Sequence, residues 1–268
     1  MKLTDSDKYF NYLRMSSENF VSGDSMVTIS YAFRIGTSTC EIGINIFLTT
    51  RAVTVLFFLA LCDASYKFTL VDIGAEGRHS DGGIFRNSDI GKMLSSENNL
   101  HLPSPSFLEY GGDAINYYIA ADEAFPLTLN IMRPYPGRYL AQDKRIFNYR
   151  LSRGRRVIEN TFGILAARWR IYRKPIISSL STADGIIKAT VCLHNWLMIY
   201  ESKIKSEYRH YCPSNFIDRE KDDGAINEGD WRKETNGANL CHINRMGANM
   251  YGKNAFTMRE QIKSYFFV

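Results

Sequence analysis

Apolar positions along the chain follow three rhythms. Residues 53–61 (VTVLFFLAL) are an unbroken apolar run, the pattern of a buried strand. Residues 66–73 (YKFTLVDI) predict a second strand, and Cys62-Asp63-Ala64-Ser65 a turn joining the two as an antiparallel hairpin. A third strand is expected at 115–121 (INYYIAA), with Asp122 at its C-terminal end. Helical spacing takes over at 148–170, where Leu151, Ile158, Phe162, Leu165 and Trp169 recur at intervals of 7, 4, 3 and 4 and form one apolar stripe. Further helices are expected at 84–94, 183–200 and 258–267. Pro126, Pro134, Pro136 and Gly137 mark an irregular crossing between the third strand and the long helix.

The ends of the chain read differently. Residues 1–47 are polar-amphipathic and helical in rhythm. Two short segments flank Ile35-Gly36, an arrangement that suits a helix-turn-helix and equally an ordinary helical hairpin. Residues 201–268 are rich in Asn, Gly and charge, and predict a loosely ordered tail with a short terminal helix. The expected organisation is thus a helical segment at 1–47, an α/β domain at 48–200 and the tail at 201–268.

Composition sharpens this picture in three places. Net charge is +5 over 268 residues, but residues 144–174 hold ten Lys and Arg against one acid, Glu159. So concentrated a patch favours a polyanion, with nucleic acid the default partner. The five cysteines are widely spaced with no CxxC pair, which argues against a zinc knuckle and for a reducing compartment. The N-terminus has no apolar core of a signal peptide. Residues 44–62 approach the length of a membrane span, but Arg51 near the middle and the abundance of Val, Thr and Phe favour buried strand. A small membrane-anchored protein is the minor alternative.

Glu159 raises the question of chemistry. On a helical wheel it lies roughly 80° from the centre of the apolar stripe, on the shoulder between core and solvent. Arg155 and Arg156 precede it by four and three residues, so a surface ion pair is the plain reading. Asp122 adds a second one, since a carboxylate at a strand end faces a ligand at the sheet's edge. Together the two acids could hold divalent cations beside a cationic groove. For Asp122 the plain reading is a turn or capping residue ahead of Glu123-Ala124-Phe125.

The segments LCDASYKFTLVDIGAEGRHSDGGIFRNSDIG, YYIAADEAFPL, FNYRLSRGRRVIENTFGILAARWRIYRKPI and IIKATVCLHNWL, in this order and spacing, resemble the Harbinger-type DDE transposases and the nuclease-like proteins derived from them. The resemblance runs from about residue 53 to 200 and continues weakly through CPSNFIDREKDDGAINEGDWR and MREQIKSYF. It implies an α/β fold with a ribonuclease-H-like core, a mixed sheet with flanking helices. Three carboxylates would hold Mg²⁺ or Mn²⁺ for cleavage and transfer of DNA strands. Asp122 matches the family's second Asp and Glu159 its Glu, 37 positions apart. Arg153, Arg155, Arg156, Arg168, Arg170, Arg173 and Lys174 are then the expected grips on DNA phosphates. DNA is the implied partner, alongside a separate DNA-binding protein. The implied location is the nucleus, with the cytoplasm as a second site.

One part of the family pattern is missing. The first Asp, in a segment of the form Asp-Gly-Lys/Thr-His on the first core strand, has no counterpart in this chain. Between Phe47 and Thr54 the sequence passes almost directly from the leading helices to the second core strand. The expectation is a shortened domain without its first strand and with impaired catalysis; the alternative is a non-catalytic DNA-binding remnant. Asp63, at the hairpin turn, and Asp72, on the following strand, are not on the strand that should lie beside Asp122, and Asp81 reads as a helix cap. His194, on an apolar helix, reads as a core hydrogen-bonding group, and Trp169 and Trp196 as core anchors.

Overall fold

The computed structural model describes residues 41–49, 54–73, 85–86, 88–95, 102, 104–105, 107, 114–173, 176–221, 224–235, 241–242 and 251–267. The possible helix-turn-helix around Ile35-Gly36, Arg51, Asp81 and Lys174 lie outside these residues.

The expected hairpin is present. Strand β2 (Thr54–Cys62) pairs antiparallel with β3 (Phe68–Ile73), with a register irregularity between Leu61 and Cys62. Its unbroken apolar run has a simple cause, because both faces are covered. Phe58, Ala60 and Cys62 point into one core cluster, and Leu59 and Leu61 into another on the opposite side. Asp63 turns the chain by accepting hydrogen bonds from the Ser65 and Lys67 amides.

The other side of β2 differs from the expectation. Residues 41–49, placed by their rhythm mainly in the leading helical segment, form strand β1 (Glu41–Thr49), antiparallel to β2 over nine residue pairs. Strand β1 lies between β2 and β4 (Ile119–Ala120) in the sheet. Alternation within EIGINIFLT suits a strand, and β1 covers the edge that β2 would otherwise leave unpaired. Strand β4 runs parallel to β1, with Glu41 opposite Ala120, and β5 (Ile131–Met132) runs parallel to β4. The resulting order is β3-β2-β1-β4-β5. The two membrane-like halves of 44–62 are thus paired strands, and no helix among the described residues is long and apolar enough to cross a membrane.

Helices cover both faces. Helix α1 (Asp89–Ser95) brings Ile90 and Leu94 against Leu59, Leu61 and Ile119. Opposite it lies α2 (Gln142–Arg168), 27 residues long, which starts six residues earlier than its apolar stripe suggested. Its Ile158, Phe162 and Leu165 meet Phe58, Phe68 and Val71 of the sheet and Ala183, Ile187 and Val191 of α3 (Leu180–Ser202). Ser179 caps α3 by accepting the Thr182 amide at 3.2 Å.

The C-terminal region is more ordered than its composition suggested. A two-strand ribbon, β6 (Arg219–Glu220) with β7 (Ile226–Asn227), leads to the single-turn helix α4 (Trp231–Glu234). The Trp231 ring lies over Gly163 of α2, where even a Cβ would come within 2.3 Å of it. Asn160 of α2 accepts the Trp231 indole N–H at 2.8 Å and the Asp218 amide at 3.1 Å. Asp218 is buried, accepting from the Gly229 amide and pairing with Arg232. Strand β8 (Cys241–His242) pairs with β1, and α5 (Lys253–Phe267) packs Ala255, Met258 and Ile262 against Phe147 and Leu151 of α2.

Candidate active site

Asp122 follows β4 by two residues, in a turn held from three directions. Its backbone carbonyl accepts the Phe125 amide at 3.2 Å, and its Oδ1 accepts the Ala124 amide. From below, the buried Arg133 donates through Nη1 to the carbonyls of Glu123 and Phe125. The turn-forming role read from the sequence is therefore realised, but it uses only one carboxylate oxygen. Oδ2 points the other way, toward α2.

Glu159 meets it there. Arg155, one turn earlier on α2, places Nη2 3.5 Å from Glu159 Oε1 and 4.0 Å from Asp122 Oδ2. The two carboxylate oxygens therefore lie no further apart than those two legs combined. Their side chains are 33% and 36% exposed, so solvent reaches the pair. The expected surface ion pair with Arg155 is present, and the same guanidinium reaches toward Asp122. A half-exposed pair of this kind contributes little to stability. Its effect is local, since Arg155 cancels the repulsion between two neighbouring anions.

Four of the remaining arginines have definite partners. Arg153 and Arg156 reach Glu220 Oε2 at 2.8 and 3.4 Å, and the Tyr149 hydroxyl donates to the same carboxylate. Arg168 and Arg173 pair with Glu234 at 3.9 and 3.3 Å. Arg168 also donates to the Tyr211 carbonyl and stacks 3.9 Å from the Phe216 ring centroid. Arg170 is exposed. The arginine-rich stretch is thus largely matched by acids from the C-terminal region. That complementarity was missed in the sequence because Glu220 and Glu234 lie some sixty positions from their partners.

Other candidates have structural roles. Asp72 accepts the Asp89 amide at 2.6 Å ahead of α1, and burial raises its pKa. His194 is fully buried, with Nε2 2.7 Å from the Tyr66 carbonyl and Nδ1 2.8 Å from the Tyr211 hydroxyl. A carbonyl can only accept, so Nε2 carries the proton and Nδ1 accepts from Tyr211. Asn195 beside it both accepts the Phe68 amide and donates to the Phe68 carbonyl, which secures β3 as a neighbouring strand would. Trp169 lies at the core boundary, but Trp196 is exposed, contrary to its expected anchoring role.

The sequence profile of the DDE superfamily endonucleases matches residues 40–195, which runs from the start of β1 into α3 and includes Asp122 and Glu159. The chain belongs to the DDE superfamily endonuclease family. Neither the curated proteins nor the solved structures contain a match to it. Members of this family typically use divalent metals. Among the described residues no group of three or more His, Cys, Asp or Glu side chains could hold a metal. Asp122 and Glu159 supply oxygen donors of the kind Mg²⁺ and Mn²⁺ prefer, and Arg155 stands between them. They do not by themselves make a two-ion site.

Proposed function

We propose that this DDE endonuclease domain is transposase-derived and Harbinger-type, acts on DNA in the nucleus, and has impaired strand cleavage. One observation carries the reading: Asp122, from the end of β4, and Glu159, from the shoulder of α2, converge on a single cation, Arg155. The strand order β3-β2-β1-β4-β5, with β1 antiparallel to β2 and parallel to β4, supports a ribonuclease-H-like core. Impairment follows from the donor count. The strand beside β4 contributes a single acidic residue, Glu41, and no Asp.

In this reading Asp122 and Glu159 hold one Mg²⁺ or Mn²⁺, and Arg155 turns outward to a phosphate. The bound ion supplies Lewis-acid stabilisation of the phosphoryl oxygens and acidifies water. Asp122 is positioned by its turn, so its free oxygen stays aimed at the site while Oδ1 remains on the Ala124 amide. Arg170 adds phosphate contact, with Arg153, Arg156, Arg168 and Arg173 contributing as they exchange Glu220 and Glu234 for DNA.

Plasmid nicking tests the reading. Weak cleavage in Mn²⁺, weaker still in Mg²⁺, is expected, and Glu159→Gln is expected to abolish it. The second reading, a DNA-binding remnant, is favoured by Arg155 already neutralising the acid pair. It predicts no nicking with either ion, and DNA affinity that falls with salt but is unchanged by Glu159→Gln. Nicking that survives Glu159→Gln would remove the acid pair from the chemistry.

A further inference from the structure

Tyr149, Arg153 and Arg156 follow one another on α2 at intervals of 4 and 3. They fall within an arc of about 60° on the helical wheel, so they share one face. All three converge on a single carboxylate. Arg153 Nε lies 2.8 Å and Arg156 Nη1 3.4 Å from Glu220 Oε2, and the Tyr149 hydroxyl donates to Oε1. Two cations around one anion leave the cluster with net positive charge. The Glu220 side chain is only 13% exposed, whereas that of Arg153 is 53% exposed. The acid is enclosed by its donors, and the donors keep a side open to solvent.

Glu220 is brought to α2 by a light element. The β6–β7 ribbon has two residue pairs, Arg219 with Asn227 and Glu220 with Ile226. So short a ribbon has little stability of its own. Gly224 in its turn takes a φ of +80°, and a Cβ there would come 3.6 Å from the Tyr149 hydroxyl, so the turn lies directly over the polar end of that ring. The root of the ribbon is anchored separately, because Asp218 is bound to Asn160 and to Arg232. Release of Glu220 would therefore free the ribbon from this face of α2 without detaching its base. Arg219 and Lys221, on either side of the acid, are exposed.

A carboxylate and a phosphodiester carry the same single negative charge, and each presents two acceptor oxygens that arginine forks can grip. We propose that Tyr149, Arg153 and Arg156 form a phosphodiester subsite, occupied by Glu220 as an internal stand-in, and that the β6–β7 ribbon is a gate which DNA must open. The inference rests on DNA as the ligand of this domain, and adds to that reading a donor, Tyr149, and an intramolecular competitor. Arg153 lies six residues before Glu159, so the subsite is roughly 9 Å along the same helix from the candidate acid pair. Glu234, 41% exposed and 3.9 and 3.3 Å from Arg168 and Arg173, covers the other end of α2 more loosely.

Fluorescence anisotropy of a short DNA duplex of arbitrary sequence, titrated with the full chain across a salt series, tests the gate. At about 0.1 M salt, Glu220→Gln is expected to tighten binding at least about fivefold, and over the series to steepen the slope of log affinity against log salt by about 1. Glu228→Gln makes the same charge change at an exposed position just beyond the ribbon, and is expected to gain less than about twofold. Arg153→Ala is expected to weaken binding more in the Glu220→Gln background than in wild type, because the guanidinium is then free for phosphate. In that background Tyr149→Phe is expected to cost about threefold. If Glu220→Gln misfolds, the wild-type chain gives the answer: amide exchange in β6 and β7 is expected to speed up when duplex is added. Wild-type binding with no larger gain for Glu220→Gln than for Glu228→Gln, or slower ribbon exchange in the complex, would make Glu220 a structural partner only and would overturn the gate while leaving the DNA reading intact. No binding of duplex by any of the chains would remove the DNA reading, and the subsite with it.

Discussion

Acidification from pH 7 to pH 4 is expected to remove on the order of 3 kcal/mol of folding stability through one side chain, His194. Burial of the imidazole pushes its pKa down to about 4, against a hydrogen bond to the Tyr66 carbonyl that acts in the opposite direction. The unfolded chain takes up a proton near the ordinary histidine value, while the folded protein resists until about pH 4. Between those values the unfolded state binds more protons. Stability is therefore complete above the unfolded pKa and is lost as pH falls through the window. Glu201, Glu220 and Glu260, whose carboxyls are held below their ordinary range, add losses at lower pH, so the wild-type curve alone does not isolate the histidine. Urea unfolding of wild type and His194→Gln at each pH does. Glutamine can donate to Tyr66 and accept from Tyr211, so the variant should start less stable and show a flatter slope between pH 6.5 and pH 4. Parallel curves would mean that His194 takes up its proton as readily in the fold as in the unfolded chain.

Asp218→Ala is expected to cost about 3 kcal/mol, because a buried carboxylate and its charged partner are separated. Asp218 accepts from the Gly229 amide at 2.8 Å and from Arg232 Nε at 2.9 Å. Its backbone is tied to Asn160 of α2, which also holds Trp231. Losing the carboxylate releases the loop that seats Trp231 on Gly163, so the effect should exceed that of any surface pair in the molecule. In a domain of this size the midpoint of thermal unfolding should fall by about 6–12 °C. Trp231 should become more solvent-exposed, visible as a red shift in emission. Asp218→Asn, which keeps an acceptor for Gly229, should lose less. A shift under about 2 °C for Asp218→Ala would mean that the C-terminal region contributes little to the fold.

These two effects arise where reading the sequence was weakest and strongest. His194 was legible as a core hydrogen-bonding group because it sits among apolar residues at helical spacing. Strand β2 and helices α2 and α3 were legible for the same reason: apolar periodicity reports burial directly. Asp218 and its surroundings gave no such signal. Order there comes from polar bonds between positions far apart, such as Asn160 to Asp218, and periodicity is blind to them. Strand β5 has two residues, too few for any rhythm. The early start of α2 escaped notice because Ala141 provides no side-chain cap. Trp196 was misplaced for a further reason, since a helix with two apolar faces does not declare which one is buried. At the candidate site, the positions of Asp122 and Glu159 were readable as a strand end and a helix shoulder. Their shared partner Arg155 was readable for only one of them, because its reach to Asp122 depends on how α2 lies across the sheet.

That shared guanidinium has a consequence for how the protein should be handled. A nuclease site made only of acids is under self-repulsion until an ion arrives. Here the counter-charge is covalently attached one helical turn away, so chelation should leave the melting temperature where it was. On the proposed reading an incoming ion would have to displace a tethered rival at high effective concentration, which would make occupancy an exchange reaction and not the filling of a vacancy.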